Sequence, residues 1–287
     1  MNNSMINSSV SMNGLQQKLD ILANNIANSN TVGFKKKEAS FEDVLTNINN
    51  QPEGFRRQGR LSPLGFNQGW GSRLVQVQTN MAQGPIQPTG NVTDLAIQGD
   101  GLFEVAVSAI DPATGNQVFQ PAWTRNGAFS LSPDNQGTMT MAMADGHFLV
   151  DTTGNPIRIP IGFRPSIDQS GNVLAYNEID HTAPPINVGQ IKLVRVVRPQ
   201  LLREVGDNIF SLPAGIANTQ DILQNLNGNA GNVADRVEVM QGYLEQSNVN
   251  MSDEMTELVM VQKAFQLNSR AITSSDTMMN MANNLRG

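Results

Sequence analysis

Histidine and carboxylate side chains are where acid–base or metal chemistry would have to start, and the chain has two histidines, His147 and His181. Neither stands in an H-x-x-x-H or H-x-x-E spacing, the kind that sets two ligands on one helix face. Asp145 and Asp180 are close by in sequence, yet Ala144-Asp145-Gly146-His147 reads as a turn rather than a ligand set. Gly99-x-Gly101 follows a strand pattern, as a phosphate-cradling loop would. Glu104 holds the place of the third glycine, however, and another strand pattern follows instead of a helix. There is no G-x-S-x-G elbow and no Walker loop. Cysteine is absent, which removes disulfides, thiol nucleophiles and thiolate metal sites. The carboxylates are scattered without an obvious acid–base pair, although pairs distant in sequence stay open. The expectation is a non-catalytic chain: no catalytic residue, no cofactor, no metal and no small-molecule substrate.

With no chemistry to position, the elements themselves become the subject. At 287 residues the chain can hold two domains, or one domain with long appendages. A net charge of −6 with 15% charged residues argues against a nucleic-acid partner, which selects a basic face. No stretch is apolar enough to cross a membrane. The opening MNNSMINSSVSMN lacks a basic region followed by an apolar one, so no cleavable secretory signal is expected. Between Met1 and Phe34 the only formal charges are Lys18 and Asp20. Charge depletion with uncharged polar groups and Met is the composition of surfaces buried against other subunits. The opposing reading, a polar and partly disordered terminus, is compatible with it at a different time.

The last stretch, Ser252 to Arg286, has neither Pro nor Gly. In and just before it, Met251, Leu258, Phe265, Ile272 and Met279 recur every seven residues, with Val261 and Ala282 on the intervening offset. That is a coiled-coil seam. Asn250 and Ser252, with Asp253 and Glu254, put acceptors and negative charge where a helix begins. The first stretch repeats the pattern: Met5, Met12, Leu19 and Ile26 are seven apart, with Leu15 and Leu22 interleaved. Ser8 on the offset and Gly14 within the pattern weaken it, Gly by up to about 1 kcal/mol. Two arrangements satisfy both seams. The helices form an antiparallel pair carrying a middle domain, or each packs onto that domain as ordinary amphipathic core.

Between the helices the text changes. Asn28, Asn30 and Gly33 read as a helix stop with a left-handed turn, and Phe34 anchors the exit. Lys35, Lys36 and Lys37 read as a solvated face, against a contact to an acidic partner. Phe41 to Ile48 reads as a short helix. Residues 49–72 carry Gly, Pro and Arg with the anchors Phe55, Leu64, Phe66 and Trp70, an extended arm that orders against something. From Arg73 to about Gln241 period-two alternation dominates, as in Phe103, Val105, Val107 and in Met139, Met141, Met143, punctuated by turn signals such as Asp145-Gly146 and Ser170-Gly171-Asn172. This is a mostly antiparallel β domain, with Pro213 to Val233 as a surface loop. The expected class is α+β: an N-terminal helix and stop (1–48), an arm (49–72), a β middle domain (73–241) and a C-terminal helix (242–287).

Three blocks resemble a known family. Ala23-Asn24-Asn25-Ile26-Ala27-Asn28 through Thr31-Val32-Gly33-Phe34-Lys35 is similar to the N-terminal signature of the bacterial flagellar rod and hook proteins. Gly84 to Asn91, Asp94 to Phe103 and Thr124-Arg125-Asn126-Gly127-Ala128-Phe129 resemble that family's middle-domain blocks. Gly242-Tyr243-Leu244-Glu245 to Asn250, with Glu254-Met255 and Gln262-Lys263-Ala264-Phe265, resemble its C-terminal signature. Leu102 in place of Phe and Asn250 in place of Asp are the departures. The overall likeness is greatest to the distal-rod type. It implies a structural subunit of the basal-body rod, exported through the flagellar type III apparatus and polymerising into the hollow shaft that transmits torque to the hook. Its implied partners are itself and other rod and hook proteins. Implied too are a first helix that orders on assembly and an inner helical layer beneath an outer β layer. The expected assembly interface is Met5, Met12, Leu15, Leu19, Leu22 and Ile26 with Leu258, Val261, Phe265, Ile272 and Met279, and the arm, anchored by Phe55, Phe66 and Trp70, would stiffen the tube. The rival readings are a hook subunit of the same family, usually longer, and a secreted β-domain binding module, which leaves the paired heptads unexplained.

Overall fold

The computed structural model describes residues 2–43, 47–50, 65–68, 72–110, 117–134, 137–178, 183–206, 208–213, 221–226 and 237–285. The chain divides into two compact units, which interleave along the sequence. One is built from Met1–Ala27, Lys37–Gln78 and Asn250–Gly287, the other from Asn28–Lys36 and Thr79–Val249.

The first unit holds two helices, α1 (Asn2–Ala27) and α2 (Met251–Asn284). Asn250 starts α2 from an extended conformation (φ −89°, ψ 107°), its side chain accepting a hydrogen bond from the Ser252 N–H at 3.1 Å. Asp253 and Glu254 fill the first turn, where unpaired N–H groups favour negative charge. The strands Lys37–Asp43 and Ser72–Thr79 pair with each other, and Asn47–Asn50 pairs antiparallel with Gly65–Gln68. The helix expected over 41–48 is therefore strand through Asp43 and again from Asn47. Phe41, Val44, Leu45 and Ile48 do carry helical spacing. The strand partners lie later in the chain, at 65–68 and 72–79, so a local reading cannot see the pairing that overrides propensity. Of the expected arm anchors, Phe66 lies in a paired strand opposite Asn49. Phe55 and Trp70 fall outside the described residues.

The second unit is the β domain. A ten-stranded sheet is centred on the hairpin Leu102–Ile110 with Gln117–Thr124, paired from Phe103↔Thr124 to Ile110↔Gln117. Thr138–Ala142 and Phe148–Leu149 continue it on one side, and Ile209–Ser211 and Arg203–Gly206 on the other. A second sheet of Phe163–Ile167, Asn172–Asn177 and Ile186–Gln190 is also antiparallel. Phe103, Val105 and Met141, from the alternating runs, are fully enclosed in the core with Leu149, Ile159, Val173 and Ile191. Phe103 and Phe129 meet edge to face with ring centroids 5.6 Å apart. The stretch 213–233, expected as a loop, contains the strand Leu223–Asn225, antiparallel to Leu193–Val196, and a buried Ile222. Three paired residues between Asn- and Gly-rich flanks leave too short a pattern for alternation to register.

Candidate functional site

Each of the eleven side chains expected on the assembly seam is partly or wholly buried in the single chain: Met5, Met12, Leu15, Leu19, Leu22 and Ile26 on α1, and Leu258, Val261, Phe265, Ile272 and Met279 on α2. Leu22 and Val261 are the most enclosed, at 3% and 6% exposure. The two helices pack along each other, so the seam is made within one molecule rather than left open. Asn25, near the end of α1, bonds Glu254 at the start of α2. Lys18, two turns back, reaches Glu257 in an ion pair of 2.5 Å. Contacts that recede along α1 while advancing along α2 mean that the helices run antiparallel. Lys18 also lies 5.9 Å from the centre of the Phe41 ring.

A second stripe on α2 has no such cover. Met260, Leu267 and Met281 are 59%, 65% and 59% exposed, and Met278 and Leu285 continue the row. At about 100° per residue this stripe lies roughly 160° around the helix from the Leu258–Phe265–Ile272–Met279 seam. Met260, Leu267 and Met281 keep the same seven-residue frame, with Ser274 on the intervening position. The stripe is legible in the sequence as a run of Met and Leu, but periodicity alone does not say which of two faces α1 will take.

In the β unit the signature blocks converge on one buried cluster. The Glu245 carboxylate, 1% exposed, accepts from Lys35 Nζ at 2.7 Å, from Arg125 Nε and from the Gly84 N–H at 2.8 Å. Lys35 Nζ also donates to the Ala82 carbonyl at 2.7 Å. The Arg125 guanidinium donates to the carbonyls of Ile97 (2.9 Å), Gly99 (2.8 Å) and Gly101. Gly99-x-Gly101, which fails as a nucleotide loop, is thus a cradle of carbonyls around a guanidinium. Lys35, expected in solvent, is 4% exposed. Burial is the main force holding its pKa below the ordinary 10.5, and Arg125 adds to it, while Glu245 pulls the other way.

Backbone contacts tighten the same place. The Gly33 N–H donates to the Glu245 carbonyl at 2.8 Å, and Asn248 accepts from the Lys36 N–H at 2.7 Å while donating to the carbonyls of Asn80 and Ala82. Gly33 has φ +69°, and a Cβ there would stand 2.5 Å from the Asn126 nitrogen. A Cβ on Gly127 would stand 1.7 Å from the Leu95 carbonyl oxygen. These glycines are required by close backbone approach. The cluster clasps a segment from each end of the chain onto the middle of the β unit. Reading the sequence for catalytic spacings misses it, because the charged partners of Glu245 are 120 and 210 residues away; their only signal is a charged residue inside each block.

The first and last of these blocks lie within stretches that match known family models. Residues 7–35 match the family model described as flagella basal body rod protein, and residues 240–285 that of the flagellar basal body rod FlgEFG protein C-terminal. A flagellar basal-body rod protein FlgG of Borreliella burgdorferi is 32% identical over 275 residues, covering 96% of this chain and 95% of the relative. Its namesake in Bacillus subtilis is 34% identical over 279 residues, 96% of both. The flagellar hook-basal body complex protein FlhP of Bacillus subtilis is 31% identical over 295 residues, 99% of both.

Proposed function

The chain belongs to the flagellar basal-body rod protein family, and from that premise we propose that it serves as a structural subunit of the rod, added to its neighbours through its terminal helices. The observation that carries the mode of assembly is the second stripe of α2. A helix already paired on one face still presents Met260, Leu267, Met278 and Met281 to solvent, in the heptad frame that packs against another helix. Each added subunit covers the stripe of one already in place, and repetition makes a tube with the helices inside and the β units outside. Such a shaft would be rigid enough to pass torque toward the hook, with residues 49–72 bridging neighbours. Other rod and hook proteins are the partners at its two ends, and the basal body is its place. The chain reaches it through the flagellar export apparatus. It acts without catalysis.

The test replaces Met260, Leu267 and Met281 together by Gln. All three point to solvent in the single chain, so the protomer should keep its helix content and its thermal midpoint. It should fail to enter rods in a strain lacking the wild-type gene, leaving cells without hooks. Normal rods from this variant would remove the stripe from the assembly surface. A second reading, a hook-side component of the same complex, draws on the likeness to the FlhP relative along its whole length. Its signature would be labelled chain found beyond the rod in isolated basal bodies.

A further inference from the structure

We infer that Asn25 and Glu254 are positioning residues: one buried polar pair that sets the axial register of α1 on α2. The apolar seams cannot do this by themselves. Met5, Met12, Leu19 and Ile26 on α1 and Leu258, Phe265, Ile272 and Met279 on α2 each repeat every seven residues. A slip of one heptad, about 10 Å along the axis, again sets apolar against apolar over most of the length.

The Asn25–Glu254 contact, by comparison, is broken by any slip. Asn25 is fully buried and its amide is spent on both sides. Nδ2 donates to the Lys37 carbonyl at 2.9 Å and to Glu254 Oε2 at 3.1 Å, while Oδ1 accepts the Lys37 N–H at 3.0 Å. The two bonds to Lys37 imitate a strand neighbour and tie the end of α1 to the strand Lys37–Asp43. The bond to Glu254, itself 0% exposed, ties it to the first turn of α2. A one-heptad slip brings Asn25 level with Val261 and takes its donor away from a carboxylate that is sealed from water. Burying such groups without each other is costly. The Lys18–Glu257 ion pair, with side chains 26% and 34% exposed, is too solvated to select a register. A single polar pair within an apolar seam is the known means by which helix pairs trade stability for one alignment. The pair acts within one chain, so it stands apart from the assembly reading, although it fixes which side chains of α2 remain outward.

The chain lacks cysteine, so labels can be placed cleanly. Cysteines at exposed Gln17 and Gln262, carrying spin labels, report the axial offset of the helices in the purified full-length protomer. The parent should give one narrow distance. The variant Glu254→Leu, which leaves Asn25 both of its bonds to Lys37, should keep its helix content and thermal midpoint, yet show a second distance population displaced by a one-heptad slip of about 10 Å. Glu254→Gln, which keeps an acceptor for Asn25, should retain the single distance. The inference is overturned if Glu254→Leu holds the same single distance. It is equally overturned if that variant loses helix and midpoint together, for the pair would then stabilise without choosing.

Discussion

Glu245 shares one carboxylate between two cations, and this is the arrangement in which removing a charge is felt most. Its side chain and those of Lys35 and Arg125 are 1%, 2% and 3% exposed. Replacing an entire buried ionic group by apolar residues is often neutral, but deleting one member strands the others without compensation. Glu245→Gln leaves two buried cations facing a neutral amide. The expected loss is about 3 kcal/mol or more of unfolding free energy, read from denaturant unfolding of the β unit by Trp123 fluorescence. An unchanged midpoint would show that water reaches the cluster and that the enclosure is looser than its exposures imply.

The helices owe little of their stability to their own sequence. α1 has no acidic residue in its first turn and no basic residue in its last, and it contains Gly14 and several Ser and Asn. Residues of these types are poor helix formers, so the packing of its seam on α2 must hold it. α2 has a genuine start signal in Asn250, Asp253 and Glu254. Asn250→Ala should cost about 1 kcal/mol, appearing as a lower midpoint for the helical signal while the β unit melts where it did. A change in both transitions together would mean that the two units unfold as one. The second stripe belongs to the same scale: a long helix with opposite apolar seams is suited to the middle of a layer, with α1 on one side and a helix of another molecule on the other.

At the scale of the molecule, the two units differ in how far the chain itself encloses their apolar surface. The β unit has an apolar core, a buried ion cluster and glycines at close backbone contacts, all supplied within residues 28–36 and 79–249. The helical unit exposes Met and Leu along α2. Local opening follows such differences in buried contact. Amides of α1 and α2 should exchange sooner in dilute protomer than those of Phe103, Val105 and Met141 in the enclosed core. In isolated basal bodies the helical amides should become as slow as the core. Equal protection of the helices in both samples would deny that assembly completes them.

Heptads at both ends, period-two alternation between them and the spaced signature blocks were legible in the sequence, because burial imposes a repeat of 3.5 or 2 on any chain that folds this way. The α+β division followed from those repeats, and the family resemblance from the signature blocks. The strands ending at Asp43 and beginning at Asn47 in place of a helix over 41–48, the enclosure of Lys35 and the meeting of Asn25 with Glu254 were decided only in three dimensions. Each depends on a partner tens to hundreds of residues away, and a local pattern records that a side chain is apolar or charged without recording what will stand opposite it. A lysine beside two others looks like surface until a carboxylate 210 residues later is placed against it.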